Sequence, residues 1–235
     1  MMLKAFLLAA GVGSRLRPLT DDIPKCMVEI DGRPLIDIWL DAFERASVDE
    51  VHVNLHHLAG IVSSHLAARS APPRVSTSFE PTLLGSAGTL LANRDWIAGE
   101  AMFLACNADN LTDFDLRTLV AAHDAGGAAA TLTVFRSNRP STGGVVELDE
   151  TGRVVGFVEK PRRPRSNLVN AGMYAFNPSV LDEVVGAPPL DIGYDLLPRL
   201  VGRARAVVVA DYFRDIGTPE AYRQAQTEWS RSVPR

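Results

Sequence analysis

The sequence predicts an α/β fold: a mainly parallel sheet with helices on both faces and a small antiparallel insertion. Three observations carry this reading. From Leu3 to Arg136, apolar runs of strand length alternate with segments that are apolar at helical spacing. Beyond Val145 the alternation gives way to short strand-like segments joined by turns. The 235 residues are 46% hydrophobic, with no Gly/Ser-rich or Pro-rich linker, which suits a single domain over 1–235 with a sizeable core.

Residues 3–10, interrupted only by Lys4, read as a buried strand, and 34–46 as the crossover helix, with Leu35, Ile38, Trp39, Ala42 and Phe43 at helical spacing. Strand 50–55 follows, then a helix over 58–69 with Ile61, Val62, His65 and Leu66 on one face. Strand 74–80, helix 85–96, strand 101–106, helix 116–124 and strand 128–136 continue the alternation. Residues 145–148, 154–159 and 169–177 form the insertion, with Glu150-Thr151-Gly152 as a hairpin signal. Helices over 180–184 and 194–201, strands over 204–210 and 212–215, and a helix over 218–229 close the chain. No fixed-period repeat points to an appended β-helix. In such a sheet ligands bind at the carboxyl ends of the strands, and the insertion is expected to wall the other side of the cleft.

A net charge of −4 gives no reason to expect nucleic acid or an anionic membrane as partner. The longest apolar runs fall far short of a bilayer span, and no leader pattern opens the sequence, so the cytoplasm is the expected location. Cys26 and Cys106 make neither a disulfide framework nor a zinc spacing and read as buried free thiols. Of the 24 basic residues only Lys4, Lys25 and Lys160 are lysines. Where Arg is so strongly preferred, a lysine marks a place that wants a compact ammonium. Lys4 reads instead as a solvated flank of its strand.

Residues 7–20 run Leu-Leu-Ala-Ala-Gly-Val-Gly-Ser-Arg-Leu-Arg-Pro-Leu-Thr, with Ile23-Pro24-Lys25 close behind. Gly11 and Gly13 would let backbone N–H groups close on a phosphate. Arg15, Arg17 and Lys25 would neutralise a polyphosphate, so a nucleoside triphosphate is the ligand this pattern suits. A dinucleotide fingerprint does not fit. Its third glycine position is Leu16, Pro18 stops a helix begun at Gly13, and strand 50–55 runs into His56-His57 with no acid. The Gly-x-x-x-x-Gly-Lys-Ser/Thr pattern does not occur. A plain strand-to-helix turn explains the glycines but leaves the three cations unexplained.

Asp109, in the loop that follows strand 101–106, and Asp215, at the end of strand 212–215, are candidates to hold Mg²⁺ together with phosphate oxygens, although acids also end strands as turn formers. Gly85 and Gly88 open a helix, either to admit a base or ribose or to pack helix on sheet. Glu159-Lys160 ends a strand before Pro161, and Arg162, Arg163 and Arg165 read as a solvated loop. His56 and His57 adjoin at a strand end with nothing placed to complete a metal set, so they read as structural or exposed. Asn110-Leu111-Thr112 matches a glycosylation acceptor, irrelevant in the cytoplasm.

Six ordered motifs resemble the sugar-1-phosphate nucleotidylyltransferases, with the mannose- and heptose-1-phosphate guanylyltransferases among them. They are residues 7–25, Gly85-Ser86-Ala87-Gly88-Thr89-Leu90, Cys106-Asn107-Ala108-Asp109, Phe157-Val158-Glu159-Lys160-Pro161, Asn170-Ala171-Gly172-Met173-Tyr174 and Asp215-Ile216-Gly217-Thr218-Pro219. The resemblance implies a three-layer, Rossmann-like nucleotide-diphospho-sugar transferase fold. It implies coupling of a sugar 1-phosphate to a nucleoside triphosphate, with release of pyrophosphate. It assigns Arg15, Lys25 and Lys160 as catalytic cations, and Asp109 and Asp215 to Mg²⁺. Leu8, Ala10, Gly11, Gly13, Glu80, Gly85, Gly88 and Asp109 would surround the nucleotide, and Gly144, Glu159 and Asn170 the sugar. Ala108 stands where the family usually has Gly. The expected partners are the two substrates, with neither nucleic acid nor membrane. The oligomeric state, a homo-oligomer included, stays open.

Glu80 bears on the base. An ionised carboxylate only accepts hydrogen bonds. Among common bases guanine alone presents two adjacent donors on one edge, whereas uracil and thymine offer one N–H between carbonyls. Guanylyl members of the family resemble this chain in having Glu here, and uridylyl and thymidylyl members tend to have Gln. GTP and a mannose- or heptose-type sugar are therefore expected. The alternative is uridylyl or thymidylyl transfer to a glucose-type or amino-sugar 1-phosphate, with Glu80 a solvated acid. A nucleotide-sugar sensor without turnover should have shed a cation or a metal acid, yet Arg15, Lys25, Asp109, Lys160 and Asp215 are all present.

Overall fold

In a computed structural model, which describes residues 2–232, the chain forms two compact, interleaved units. The first holds Met2–Thr82, Cys106–Leu116 and the described residues from Asp211; the second holds Leu83–Ala105 and Arg117–Ala210. Residue 1 and residues 233–235 of the expected 1–235 domain lie outside the described residues.

In the first unit Lys4–Leu8 pairs in parallel with Glu50–Leu55, which pairs in parallel with Arg74–Phe79. Ala5, Phe6 and Leu7 are fully buried, as a continuous apolar run in a parallel sheet requires. Lys4, expected to be solvated, is buried as well, because the sheet covers this strand from its first residue. Helix Leu35–Arg45 buries a wide apolar face, and Trp39 donates to the Asn110 carbonyl at 2.9 Å. Helix Ala59–Ala67 buries only Val62 and Leu66. Ile61, expected on the same face, is exposed, and His65 turns to the Asp37 carboxylate at 2.9 Å.

Two antiparallel pairs were not foreseen. Glu29–Ile30 pairs with Arg33–Pro34 around a turn, and Asn110–Thr112 pairs with Phe213–Asp215. The glycosylation-like Asn110-Leu111-Thr112 is thus a buried strand. Helix Pro219–Ser232 closes the unit, and Arg214 grips Glu228 with bonds of 2.9 and 2.7 Å.

In the second unit Ala130–Arg136 pairs antiparallel with Leu168–Phe176 and parallel with Ala204–Val208. Gly144–Leu148 and Val154–Glu159 form the expected hairpin, whose turn is fixed by Asp149 Oδ1 accepting from Thr151 and Arg153 N–H. The predicted helix 85–96 is shorter, Ser86–Ala92, followed by a 3₁₀ turn at Arg94–Ile97. Asn93 ends it by turning its side chain back onto the Thr89 carbonyl at 2.9 Å. The predicted helices at 180–184 and 194–201 are not α-helices. Pro178–Glu183 and Leu197–Leu200 are 3₁₀ turns, and Ile192–Leu196 is a π turn. Pro178 and Pro198 sit at the starts of the 3₁₀ turns, and Pro198 lacks the N–H that an α-helix continuing through it would need. The α/β class holds, with parallel strands and their helices in the first unit and the antiparallel insertion in the second.

Candidate functional site

The loop leaving Lys4–Leu8 is folded on its own backbone. Gly13 has φ +68°, and its carbonyl accepts from Leu16 N–H and Thr20 Oγ1, each at 2.8 Å. A Cβ there would stand 3.0 Å from Thr20 Cγ2 and 3.1 Å from Lys25 Cβ, so Gly13 is required by conformation and by packing. Gly11 differs: a Cβ would meet nothing within 4 Å. The Leu8 carbonyl accepts from Ala108 N–H at 3.1 Å, and Ala10 is buried. Arg17 is engaged with Asp21 at 3.1 Å, one helical turn on.

Lys25, Asp109, Arg15 and Asp215 come together in this unit. The Lys25 side chain is 8% exposed and its Nζ lies 2.7 Å from Asp109 Oδ2, on a carboxylate that is 39% exposed. Asp109 occupies the turn before Asn110–Thr112, and Asp215 is registered opposite Asn110. Ile216 N–H donates to the Asp109 carbonyl at 3.2 Å, so a two-strand ladder brings the backbones of the two aspartates to adjacent rungs. Arg15 Nη2 stands 3.9 Å from Asp215 Oδ2, and Asp215 Oδ1 accepts from Gly217 N–H at 2.7 Å. A Cβ on Gly217 would lie 2.7 Å from Arg15 Nη2, 2.8 Å from Asp215 Oδ1 and 3.2 Å from Lys25 Nζ. Two cations and the Asp215 carboxylate therefore crowd around one glycine, with Asp109 joined to them through the Lys25 ion pair.

Among the described residues no three His, Cys, Asp or Glu side chains converge as a metal set. Mg²⁺ commonly takes one or two carboxylates and completes its shell with phosphate oxygens and water, so two hard oxygen donors beside a phosphate-type loop fit it. Cys26 and Cys106 are buried free thiols, as expected, and burial pushes Cys26 up to about 12.

Glu80 is 3% exposed, which removes the solvated-acid reading. Its Oε1 accepts from Asn54 Nδ2 at 2.8 Å, its N–H donates to the Leu55 carbonyl at 2.8 Å, and its carbonyl accepts from His56 Nδ1 at 2.7 Å. His57 Nε2 bonds the Thr20 carbonyl at 3.1 Å. Both histidines are structural.

The remaining candidates lie in the second unit. Gly85 has φ +77°, and a Cβ there would fall 2.3 Å from the Leu190 carbonyl oxygen. That carbonyl accepts from Ala87 and Gly88 N–H at 2.9 and 3.1 Å, so close backbone packing accounts for Gly85, whereas a Cβ on Gly88 would stand 3.3 Å from Leu84 Cβ and 3.7 Å from the Leu190 nitrogen. The Glu159 side chain, 13% exposed, lies between two further glycines. A Cβ on either Gly144 or Gly193 would be 2.6 Å from its Oε2. Burial pushes the Glu159 carboxyl above its ordinary 4.5; Lys160 pulls it down and Asp191 pushes it up. Lys160 has φ +47°, with its Nζ 3.8 Å from Glu159 Oε1 and 5.9 Å from the centre of the Tyr194 ring. Asn170 donates to Tyr174 Oη at 2.6 Å and accepts from Gly172 N–H at 3.1 Å. Arg162, Arg163 and Arg165 are exposed, as expected. Sequence reasoning missed Asp191, Gly193 and Tyr194. Asp191 caps the π turn by accepting from Gly193 and Tyr194 N–H. No spacing signal in the sequence could have tied them to Glu159.

A parallel α/β unit whose glycine loop meets a buried lysine paired with a half-open aspartate is a nucleotide-handling class of protein. The chain belongs to the nucleotidyl transferase family, whose model matches residues 4–232. Mannose-1-phosphate guanylyltransferase 1 of Arabidopsis thaliana is 34% identical over 228 residues, covering 94% of this chain and 63% of that protein. The chain thus spans less than two thirds of that relative's length. Mannose-1-phosphate guanyltransferase beta-A of Xenopus laevis is 30% identical over 249 residues, covering 99% of this chain and 69% of that protein. The crystal structure of HddC from Yersinia pseudotuberculosis complexed with GMP-PN superposes with a TM-score of 0.80 at 25% identity, covering 97% of this chain and all of that one.

Proposed function

We propose that the chain is a sugar-1-phosphate nucleotidylyltransferase that prefers GTP and a mannose- or heptose-type sugar 1-phosphate, acting as one nucleotidylyltransferase domain in the cytoplasm. The observation that carries the proposal is the cluster around Gly217: Lys25 on Asp109, and Arg15 on Asp215, at the mouth of a glycine loop. The names of the Arabidopsis and Xenopus relatives support the guanylyl reading, as does the GMP-PN bound to HddC.

In the proposed reaction an oxygen of the sugar phosphate bonds to the α-phosphorus while the bond from that phosphorus to the pyrophosphate breaks in line. Such chemistry needs positioning and charge neutralisation more than covalent help. Arg15 and Lys25 take the triphosphate and its developing charge, with the backbone of Leu8, Ala10, Gly11 and Gly13 around it. Lys160 orients the sugar phosphate, Glu159, Gly144 and Asn170 contact the sugar, and Glu80 accepts from guanine, with Gly85 and Gly88 beside the base. Asp109 and Asp215 would hold Mg²⁺, which supplies countercharge to the polyphosphate.

Pyrophosphate release over a panel of nucleoside triphosphates and sugar 1-phosphates tests the proposal. GTP with mannose- or heptose-type 1-phosphates should give the highest kcat/KM. A preference for UTP or dTTP of about tenfold or more would replace the guanylyl reading with the uridylyl or thymidylyl one, and no turnover with any pair would refute the activity.

A further inference from the structure

We propose that Asn54 is a positioning residue for nucleotide selection, joining the start of the phosphate loop to the carboxylate that reads the base. The inference rests on the reading of Glu80 as the guanine contact. Asn54 Oδ1 accepts from Ala9 N–H at 2.7 Å, and Asn54 Nδ2 donates to Glu80 Oε1 at 2.8 Å. Ala9 is the first residue past Lys4–Leu8, Glu80 the first past Arg74–Phe79, and Asn54 sits in the strand between them. The parallel register, Leu8 opposite Asn54 and Asn54 opposite Ser78, brings these three strand ends to one level. One side chain therefore bridges groups 45 and 26 residues away in the chain.

The bridge needs an acceptor and a donor on adjacent atoms, which a carboxamide provides. A carboxylate offers two acceptors and a leucine offers neither. Asn54 and Glu80 are both buried, so oxygen set against oxygen here would find little relief from water. The Leu55 carbonyl and His56 already fix the Glu80 backbone. The Asn54 amide acts one step further out, on the carboxylate itself. Through Ala9 the same amide bonds the backbone where the phosphate loop begins.

The test is a double-mutant cycle on Asn54→Asp and Glu80→Gln, read as the ratio of kcat/KM for GTP to that for ITP, with the best sugar 1-phosphate from the panel. ITP lacks the amino donor at N2. Asn54→Asp still accepts from Ala9 N–H but opposes Glu80 with an oxygen, and should lower the ratio about tenfold or more. Glu80→Gln should lower it likewise. In the double variant, amide and carboxylate have exchanged places and the hydrogen bond can re-form in the opposite sense; it should show the ratio of Glu80→Gln alone. An unchanged ratio in Asn54→Asp overturns the inference. So do additive losses, which would mean Asn54 acts without Glu80. An unchanged ratio in Glu80→Gln instead overturns the reading of Glu80, and the inference falls with it. Where Asn54→Asp alone does not fold, the double variant against Glu80→Gln decides: equal ratios support the inference and a further loss overturns it.

Discussion

Lys25 Nζ lies 2.7 Å from Asp109 Oδ2, with the lysine buried and the aspartate partly open to solvent. Taking an ammonium out of water costs several kcal/mol, which this carboxylate offsets. Asp109→Asn keeps an oxygen facing Lys25, so a stability loss of about 1–2 kcal/mol is expected rather than collapse. Turnover should fall by orders of magnitude in Asp109→Asn and in Lys25→Ala. Denaturant midpoints and kcat measured on the same preparations check both. A Lys25→Ala enzyme as fast as its parent would defeat the central assignment.

The charges in that cluster are already paired, Arg15 against Asp215 and Lys25 against Asp109. An arriving polyphosphate therefore brings more charge than Arg15 and Lys25 alone balance, and Mg²⁺ on the two aspartates is expected to supply the remainder. EDTA should abolish turnover and added Mg²⁺ restore it. Asp215→Asn should raise the Mg²⁺ concentration needed for half-maximal rate. Full activity in metal-free buffer would remove the metal from the proposal.

Gly217 has no positive φ, yet a methyl there would stand within 3 Å of Arg15 Nη2 and of Asp215 Oδ1. The arginine tip yields easily. The carboxylate is held by Gly217 N–H at 2.7 Å and does not. Gly217→Ala should stay folded, within about 1 kcal/mol of the parent, and lose about tenfold or more in kcat. A thermal melt beside steady-state kinetics separates the two effects, and an unchanged kcat would show that this crowding carries no function.

How much of this was legible depended on the range of the interaction. Glu50–Leu55 and Val154–Glu159 were readable to the residue, because local apolar patterning sets a strand. Lys25 stood out as a lysine among arginines, and it is the cation that proves buried on an acid. The partnership of Asp109 with Asp215 was not visible as geometry, because it depends on a ladder between segments about 100 residues apart. Asn110–Thr112 carried only a misleading acceptor motif. Lys4 was misjudged because burial at a strand's first residue depends on its neighbours in the sheet. Of the glycines flanking Glu159, Gly144 opens a strand and Gly193 lies in the π turn, and nothing local in Asp191-Ile192-Gly193 announces a carboxylate neighbour.

Lys160 is exposed, with Glu159 and the Tyr194 ring beside its ammonium. An exposed pair of this kind adds little to stability, so Lys160→Ala should melt like the parent. Kinetically it should lower kcat and raise KM for the sugar 1-phosphate, leaving KM for the nucleotide nearly unchanged. Equal increases in both KM values would take Lys160 away from the sugar phosphate.

Glu159 gives a pH signature. Burial pushes its carboxyl above the ordinary 4.5, only partly countered by Lys160. A carboxyl with a raised folded value binds its proton more tightly in the folded state. Its stabilising contribution is therefore complete below 4.5 and is lost as pH rises through the folded value. At neutral pH the folded chain thus carries a cost that Glu159→Gln removes. The variant should melt above the parent at pH 7, and the gap should close as pH falls towards 4.5. It should also raise KM for the sugar 1-phosphate, if Glu159 contacts the sugar. Melting curves taken from pH 4 to 8 on both proteins check the sign, and a gap that widens on acidification would contradict the raised value.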